Sequence, residues 1–235
     1  MFQERCLAGS AMSGLVDRKV AEFLRRAVLE FPGIVPVVDE KLTPFEILVV
    51  TVISQNTNDL NTERAFKRLR QLTSITPQAI AGLDVEALEE ALKPAGLYRN
   101  KARVLKEVAR QILERYQGDL SKVLEKPAEE ARRELLSLPG VGYKTADVVL
   151  LFSKGYPFFP IDTHIAKITK RLGLVPLNAD YEQIRLVWQQ IFKPEEYLPA
   201  HLNLIHLGRV YCKARNPKCG ECPLSPVCQK VGVNA

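Results

Sequence analysis

Four of the five cysteines lie at the end of this 235-residue chain, close enough in sequence to share one metal centre. Six, two and five residues separate them, at positions Cys212, Cys219, Cys222 and Cys228. Thiolates bind zinc as well as iron–sulfur clusters, and tetrahedral sulfur geometry alone does not distinguish the two. Structural zinc sites usually consist of two close pairs of ligands, whereas only Cys219 and Cys222 form a close pair here. The residues alone therefore predict a metal centre and leave both metals open, with zinc the poorer fit.

A second motif is the stretch Leu-Pro-Gly-Val-Gly at residues 138–142. Its two glycines, Gly140 and Gly142, allow the backbone to turn tightly after one helix and to present free amides at the start of the next. N–H groups at a helix N-terminus bind phosphate with help from the helix dipole, without reading any base. An ordinary helix–helix connection is an equally good interpretation of the glycine pattern alone.

Two titratable residues follow this turn, Lys144 and Asp162. Lys144 falls in the first turn of the next helix, where the positive end of the dipole and partial burial disfavour an ammonium group. A neutral amine attacks electrophilic carbon, but from its position alone a phosphate contact is the better interpretation of Lys144. Asp162 precedes Thr163 and His164 and predicts a helix N-cap, where a carboxylate stays ionised.

The elements that must position these residues are predicted to be helices. Thr43, Pro44 and Glu46 supply an N-cap, a proline at N1 and a glutamate at N3, which is a capping box for a helix that ends at Ser54. Alternating strand patterns are nearly absent, so the sequence predicts an all-α fold. Apolar residues spaced three and four apart predict further helices over residues 59–72, 84–92, 99–116 and 127–136.

Composition limits the class of protein. Hydrophobic residues make up 46% and charged residues 26%, which argues against disorder and low-complexity repeats. No stretch approaches the roughly 18 apolar residues of a membrane-spanning helix, and residues 1–15 lack the apolar run of a secretory signal. We therefore expect a cytoplasmic protein, associated with the nucleoid if the source is prokaryotic, in which clustered cysteines bind metal. The net charge of +6 favours a polyanionic partner but does not require one.

Taken in order, the motif Leu-Pro-Gly-Val-Gly-x-Lys-Thr-Ala, the Asp-Thr-His that begins at Asp162 and the four-cysteine loop resemble the endonuclease III family of DNA glycosylases. The resemblance covers residues 43–228. It implies two helical domains that flank a DNA-binding cleft: a six-helix barrel with a helix-hairpin-helix at residues 36–155, and an iron–sulfur cluster domain at residues 15–35 and 156–235. The four cysteines are then the ligands of a [4Fe-4S] cluster, and residues 1–14 are predicted to be a disordered extension.

The resemblance also implies roles for the titratable residues. Lys144 matches the family's nucleophile, which displaces the damaged base at C1′ and forms a Schiff base whose β-elimination cuts the strand. Asp162 matches the aspartate that assists this lysine and stabilises positive charge at the sugar. His164 matches a residue that lines the site.

The hole that a flipped base leaves in the duplex is filled, in this family, from two loops. In the Gly-Leu-Tyr segment Leu97 is the predicted wedge between base steps. The other loop is altered here: the plugging position falls on Asn56 without a gap, or on Gln55 by its Gln-x-Thr pattern. Further DNA contacts are predicted in the turn and in the basic loop between the first two cluster ligands, at Leu138, Gly140, Val141, Gly142, Thr145, Lys213, Arg215 and Lys218.

The predicted function is that of a bifunctional DNA glycosylase and apurinic/apyrimidinic lyase. It would act as a monomer on damaged pyrimidines or abasic sites in double-stranded DNA. One alternative is a monofunctional mismatch or uracil glycosylase of the same superfamily, although those members lack a lysine at the position of Lys144. A non-catalytic iron–sulfur module for DNA binding or redox chemistry is an alternative of another class.

Overall fold

The computed structural model describes residues 16–33 and 42–233, and these ranges are helical without any strand. The predicted all-α class is confirmed. The predicted extension at residues 1–14 and the predicted boundary between residues 35 and 36 lie outside the described ranges. The α-helices of the described ranges are α1 Arg18–Leu29, α2 Pro44–Ser54, α3 Asp59–Leu72, α4 Pro77–Gly82, α5 Val85–Leu92, α6 Tyr98–Tyr116, α7 Ala128–Leu136, α8 Tyr143–Lys154, α9 Thr163–Leu172, α10 Tyr181–Ile191 and α11 Tyr197–Val210.

Side-chain caps explain where several of these helices begin. The predicted capping box is present at α2, where Thr43 Oγ1 accepts a hydrogen bond from Glu46 N at 3.2 Å and Glu46 Oε2 accepts one from Thr43 N at 2.9 Å. Such bonds satisfy amides that have no partner inside the helix. The side chains of Asp84 and Asp180 accept the equivalent bonds at α5 and α10. Sequence-local chemistry therefore fixes these helix starts before any tertiary packing.

A first hydrophobic core gathers buried side chains from α2 to α8. Helix α2 lies at its centre, since every residue from Phe45 to Ile53 except Glu46 is buried. A helix that is apolar on all faces needs partners on all faces, and α3, α6 and α8 provide them. The loop that follows α2 is thereby held at the edge of this core.

A second core gathers α1, α9, α10 and α11 around the fully buried Trp188. Helix α8 belongs to both cores, because Leu150 packs in the first and Leu151 in the second. We propose the predicted division into two domains on this basis, with α8 as the shared helix. No helix in residues 16–33 or 42–233 combines the length and the hydrophobicity that crossing a membrane requires.

Lys101 of α6 connects the end of α2 to the short turn that precedes α6. Its side chain is almost fully buried, and its Nζ donates hydrogen bonds to Ile53 O at 2.8 Å and to Ala95 O at 2.9 Å. Burial lowers the pKa of this amine to about 8. One ammonium group thus holds the end of α2 and the short turn before α6 together.

We expect Lys101→Met to lower the free energy of unfolding by about 2–4 kcal/mol, because two buried carbonyls lose their donor. Lys93→Met is the control: Lys93 is half-exposed and pairs only with Glu90, so its replacement should change stability by less than about 0.5 kcal/mol. Urea unfolding of the three proteins measures both values. Equal stabilities of the two variants would contradict this account of Lys101.

Candidate functional site

A cavity of about 700 Å³ lies between the two cores and is lined by both Lys144 and Asp162. Its walls come from the end of α2 and the loop after it, from α8, from the start of α9 and from α11. The two residues singled out in the sequence therefore face one space. Helix α8 brings Lys144 from the side of the first core, and α9 brings Asp162 from the side of the second.

Lys144 is the second residue of α8, and its side chain is enclosed by protein on most sides while remaining accessible from the cavity. Burial lowers the pKa of its amine, and the negative charges of Asp162 and Asp59 oppose that shift. Among the described residues, no ion pair or hydrogen bond engages Lys144. This surrounding favours a neutral amine with a free lone pair.

Asp162 is the N-cap of α9, as its position before Thr163 and His164 predicts. Its Oδ1 accepts a hydrogen bond from Ile165 N at 2.8 Å. The cap holds the carboxylate at the rim of the cavity, where its charge reaches Lys144 without a direct ion pair. A fixed negative charge in that position can stabilise positive charge that develops on a bound molecule.

Two histidines complete this side of the cavity. His164 lines it, and burial lowers its pKa. The backbone of Gly208 packs so closely on His164 that a Cβ at position 208 would lie 2.7 Å from the histidine Cβ. His201 was not predicted: it lines the cavity from α11, its Nδ1 donates to Pro160 O at 3.0 Å, and burial lowers its pKa to about 4. His201 therefore stays neutral beside Lys144 and Asp162.

The loop after α2 carries the two candidates for the plugging position, and both line the cavity. Gln55 is partly buried, and its Nε2 donates to Gly140 O at 3.3 Å and to Thr145 Oγ1 at 3.4 Å. Asn56 is exposed at the tip of the loop with a left-handed backbone, at φ 55°. Gln55 is thus tethered to the glycine turn, whereas Asn56 is free to project.

Leu97, the predicted wedge, lies directly before α6. It is 61% exposed, which is the highest value among the large apolar side chains of the described residues, and its φ is 48°. An exposed leucine in a left-handed conformation is costly for a folded protein. Such a residue fits a surface that a partner covers.

The glycine turn connects α7 to α8, as predicted. Gly140 has φ 71°, and a Cβ there would lie 2.6 Å from Val104 Cγ1 of α6. The side chains of Leu138, Val141 and Thr145 are buried, so any contact of these three positions with DNA has to come from the backbone. Gly140 and Gly142 are exposed and leave that backbone accessible.

The four C-terminal cysteines line one small cavity of about 30 Å³ together with Arg171. Burial raises the pKa of the Cys222 and Cys228 thiols, and the neighbouring cysteines raise it further. Four cysteines around one small cavity are the donor set of an iron–sulfur cluster or of zinc. Because either metal requires thiolates, metal binding must release these protons.

Arg171 of α9 was not predicted, and it braces the basic loop that begins at Cys212. Its Nη1 donates to Lys213 O at 2.6 Å and to Cys212 Sγ at 3.4 Å, and its Nη2 donates to Ala214 O at 3.2 Å. The side chains of Lys213, Arg215 and Lys218 are exposed on this loop. The loop thus presents positive charge to solvent while its backbone is fixed.

Comparison with known proteins identifies the family. Residues 49–194 match the model described as HhH-GPD superfamily base excision DNA repair protein, and residues 212–228 match the iron–sulfur binding domain of endonuclease III. Endonuclease III of Thermotoga maritima is 36% identical over 211 residues, which cover 89% of this chain and 92% of that protein. The chain belongs to the endonuclease III family. The second match decides between the two metals and confirms the predicted iron–sulfur cofactor.

Other members of the endonuclease III family agree in sequence and in structure. The Bacillus subtilis endonuclease III is 34% identical over 187 residues, which cover 80% of this chain and 81% of that protein. A solved structure of endonuclease III, trapped as a covalent intermediate with DNA, superposes with a TM-score of 0.78 at 32% identity and covers 90% of this chain and 95% of that one. The predicted family and its helical fold are therefore confirmed over most of the chain.

We expect Gly140→Ala to lower the free energy of unfolding by about 1–3 kcal/mol, because alanine is strained at positive φ and its Cβ would collide with Val104. Gly142→Ala is the matched control, since a Cβ there meets no atom within 4 Å and its φ of −91° is ordinary. Its cost should stay below about 1 kcal/mol. Chemical unfolding measures both variants, and a Gly142→Ala loss as large as that of Gly140→Ala would contradict the geometry of the turn.

Proposed function

We propose that this member of the endonuclease III family is a base excision repair DNA glycosylase with apurinic/apyrimidinic lyase activity, acting on damaged pyrimidines in duplex DNA. The observation that carries the proposal is the shared cavity: Lys144, with its lowered pKa, and Asp162, without an ion pair between them, open onto one space between the two cores. A nucleophile and a charge stabiliser are the two groups that displacement of a base at C1′ requires.

The proposed reaction proceeds through a covalent bond between Lys144 and C1′ of the damaged nucleotide. The neutral Lys144 amine attacks C1′, and the bond between C1′ and the base breaks, so that the base leaves with the bonding pair and takes up a proton. The amine nitrogen gives up one proton, the bond between C1′ and O4′ breaks as the sugar ring opens, and O4′ takes up a proton, which leaves a protonated Schiff base between Lys144 and C1′. Loss of a proton from C2′ then expels the 3′ phosphate and cuts the strand. Asp162 stabilises positive charge on the sugar during the first step.

DNA is the partner that the surface around the cavity fits. A nucleotide flipped out of the stack would enter the cavity, whose volume of about 700 Å³ is ample for a base and its sugar. Asn56 and Leu97 are the proposed residues that fill the hole, since both are exposed at left-handed positions on loops beside α8 or α6. The backbone of the glycine turn would hold phosphate.

The iron–sulfur loop supplies a further DNA contact in this proposal. Cys212, Cys219, Cys222 and Cys228 would hold the cluster, which when bound links the loop covalently to the end of α11 and gives it a rigid shape. Lys213, Arg215 and Lys218 would then face the phosphate backbone from a fixed platform. A monomer that works in the cytoplasm or on the nucleoid is part of the same proposal.

Borohydride trapping tests the proposed nucleophile. With a duplex that contains an abasic site, borohydride should reduce the Schiff base and leave protein covalently bound to DNA for the wild type. Lys144→Ala should give no adduct. Lys154→Ala removes an exposed lysine at the other end of α8 and should be trapped like the wild type. Trapping of Lys144→Ala at wild-type yield would remove Lys144 from its role.

The pH dependence of base release tests the electrostatics of the pair. The rate should rise with pH as Lys144 loses its proton, and this rise should lie below the ordinary lysine pKa because burial lowers it. Asp162→Asn removes a charge that raises the Lys144 pKa, so the rising (acid) limb of the pH–rate profile should move to lower pH. The maximal rate should fall by about 100-fold, because the charge that stabilises the sugar is lost.

Asp180→Asn is the control for this experiment. Asp180 caps α10 as Asp162 caps α9, with Oδ1 accepting from Gln183 N at 2.9 Å, and it does not line the cavity. Asparagine is an equally good N-cap, so neither variant should lose its helix. A shift of the acid limb to higher pH in Asp162→Asn would contradict the assigned coupling.

A further inference from the structure

A buried carboxylate, Asp147, lies one helical turn after Lys144 on α8 and is fully enclosed. Its Oδ1 accepts a hydrogen bond from Arg132 Nε at 2.6 Å, and its Oδ2 accepts from Arg132 Nη2 at 3.0 Å and from Tyr181 Oη at 2.8 Å. Burial raises the pKa of the Asp147 carboxyl, and the hydrogen bonds from Arg132 and Tyr181 oppose that rise. The carboxylate is therefore held by three hydrogen bonds, one of which comes from α10 of the second core.

That third donor, Tyr181, connects α8 to the segment that carries Asp162. Tyr181 is the first residue of α10, and its Oη accepts a hydrogen bond from Ile161 N at 3.2 Å. Burial raises the pKa of Tyr181, and the charge of Asp147 raises it further, so the hydroxyl stays protonated. The Tyr181 hydroxyl thus acts both as a hydrogen-bond donor, to Asp147, and as an acceptor, from Ile161 N. Ile161 directly precedes Asp162, so a continuous chain of hydrogen bonds runs from α8 to the backbone beside Asp162.

The separation between Lys144 and Asp162 has no direct bond to fix it among the described residues. The two side chains reach the cavity from α8 and α9, which pack mainly in different cores. Their distance therefore depends on contacts between the α8 backbone and the segment before α9. Tyr181 provides one such contact through Ile161 N, and His201 provides another through Pro160 O. The Tyr181 contact leads back to α8 through a hydrogen bond to Asp147, whereas the His201 contact leads back to it through an apolar edge contact with Phe152.

A buried ion pair such as Arg132–Asp147 seldom stabilises a fold more than apolar packing would, because the cost of desolvation offsets the attraction between the charges. Apolar side chains of similar volume would fill the same space between α7, α8 and α10. The Arg132 guanidinium also stacks on Tyr143, whose ring stacks in turn on Tyr181 at 5.4 Å between centroids. Tyr181 is therefore oriented by its hydrogen bond to Asp147 and by its stacking on Tyr143. Apolar packing alone would fix the direction of its hydroxyl less specifically.

We propose that Tyr181, held by Asp147, is a positioning residue that sets the separation of the Lys144 amine and the Asp162 carboxylate. This inference rests on the proposed function, because it assigns a role within the same reaction. Tyr181 forms a hydrogen bond with neither side chain and is absent from the cavity lining, so it acts through the backbone of Ile161 and through Asp147 of α8. Displacement of reacting groups by about 1 Å is enough to cost on the order of 100-fold in rate.

The test compares Tyr181→Phe with Tyr116→Phe. Both variants lose only a hydroxyl, and in both proteins that hydroxyl donates to a carboxylate that also pairs with an arginine: Asp147 with Arg132, and Glu134 with Arg115. Tyr116 lies at the end of α6, away from the cavity. Single-turnover base release, DNA affinity and thermal stability are measured for both variants and for the wild type, across a range of pH.

We expect Tyr181→Phe to release base about 10–100-fold more slowly with DNA affinity within about twofold of the wild type, since the pair is misplaced while the DNA surface is intact. The rising limb of its pH–rate profile should move to lower pH, because a displaced Asp162 raises the Lys144 pKa less strongly. The other charged or titratable groups that act on Lys144 are Asp59 of α3 and His201 of α11, and neither is changed in this variant. Tyr116→Phe should keep the wild-type rate and pH profile. Equal behaviour of the two variants would overturn the proposal.

A second variant covers the case in which Tyr181→Phe does not fold. Asp147→Asn offers a single acceptor oxygen to three donors, so the hydroxyl of Tyr181 loses part of its anchor, and we expect a smaller shift of the same acid limb. An Asp147→Asn protein with the wild-type rate and profile would also overturn the inference. Failure of the proposed function is distinct, because the wild-type protein itself would then release no base.

Discussion

The arrangement depends on one constraint: an amine has to be buried deeply enough to lose its proton and still face a space that DNA can enter. The position of Lys144 favours both, because α8 begins at a turn on the surface and runs into the interface of the two cores. Burial lowers its pKa, and no partner among the described residues restores the charge. An ion pair with Asp162 would stabilise the ammonium, so the absence of a direct bond between the two side chains favours the neutral amine.

Helix α8 connects the Lys144 site to the glycine turn and to the second core. The glycine turn that precedes it needs Gly140 against Val104, so in the proposed function the phosphate contact and the nucleophile would share one rigid element. A phosphate held at that turn would fix where C1′ lies relative to Lys144. The same helix places Asp147 against Arg132 and Tyr181, which extends its influence to the backbone beside Asp162. Binding geometry and reactive geometry are therefore set by the orientation of a single helix.

Local signals explain which features the sequence could predict. The capping box at Thr43 places α2 to the residue, and the predicted helix over residues 99–116 begins at Tyr98 instead. Lys144 and Asp162 could be found because each lies in a short motif. The roles of three other residues could not be predicted, because the hydrogen-bond partners of His201, Arg171 and Tyr181 lie 41, 42 and 34 residues away in the sequence. No local sequence pattern indicates pairs at such separations. Contacts between segments that are distant in the sequence are therefore the features that the sequence did not predict.

Lys101 illustrates the same principle on the DNA side of the cavity. Its ammonium binds the carbonyl of Ile53, which precedes the loop of Asn56, and the carbonyl of Ala95, which precedes Leu97. Asn56 and Leu97 both adopt left-handed backbones, a strain that persists only where the surroundings determine it. The two segments that carry these residues are thus anchored to one buried lysine. In the proposed function, a duplex that opens for a flipped base would therefore meet two loops whose positions depend on the same side chain.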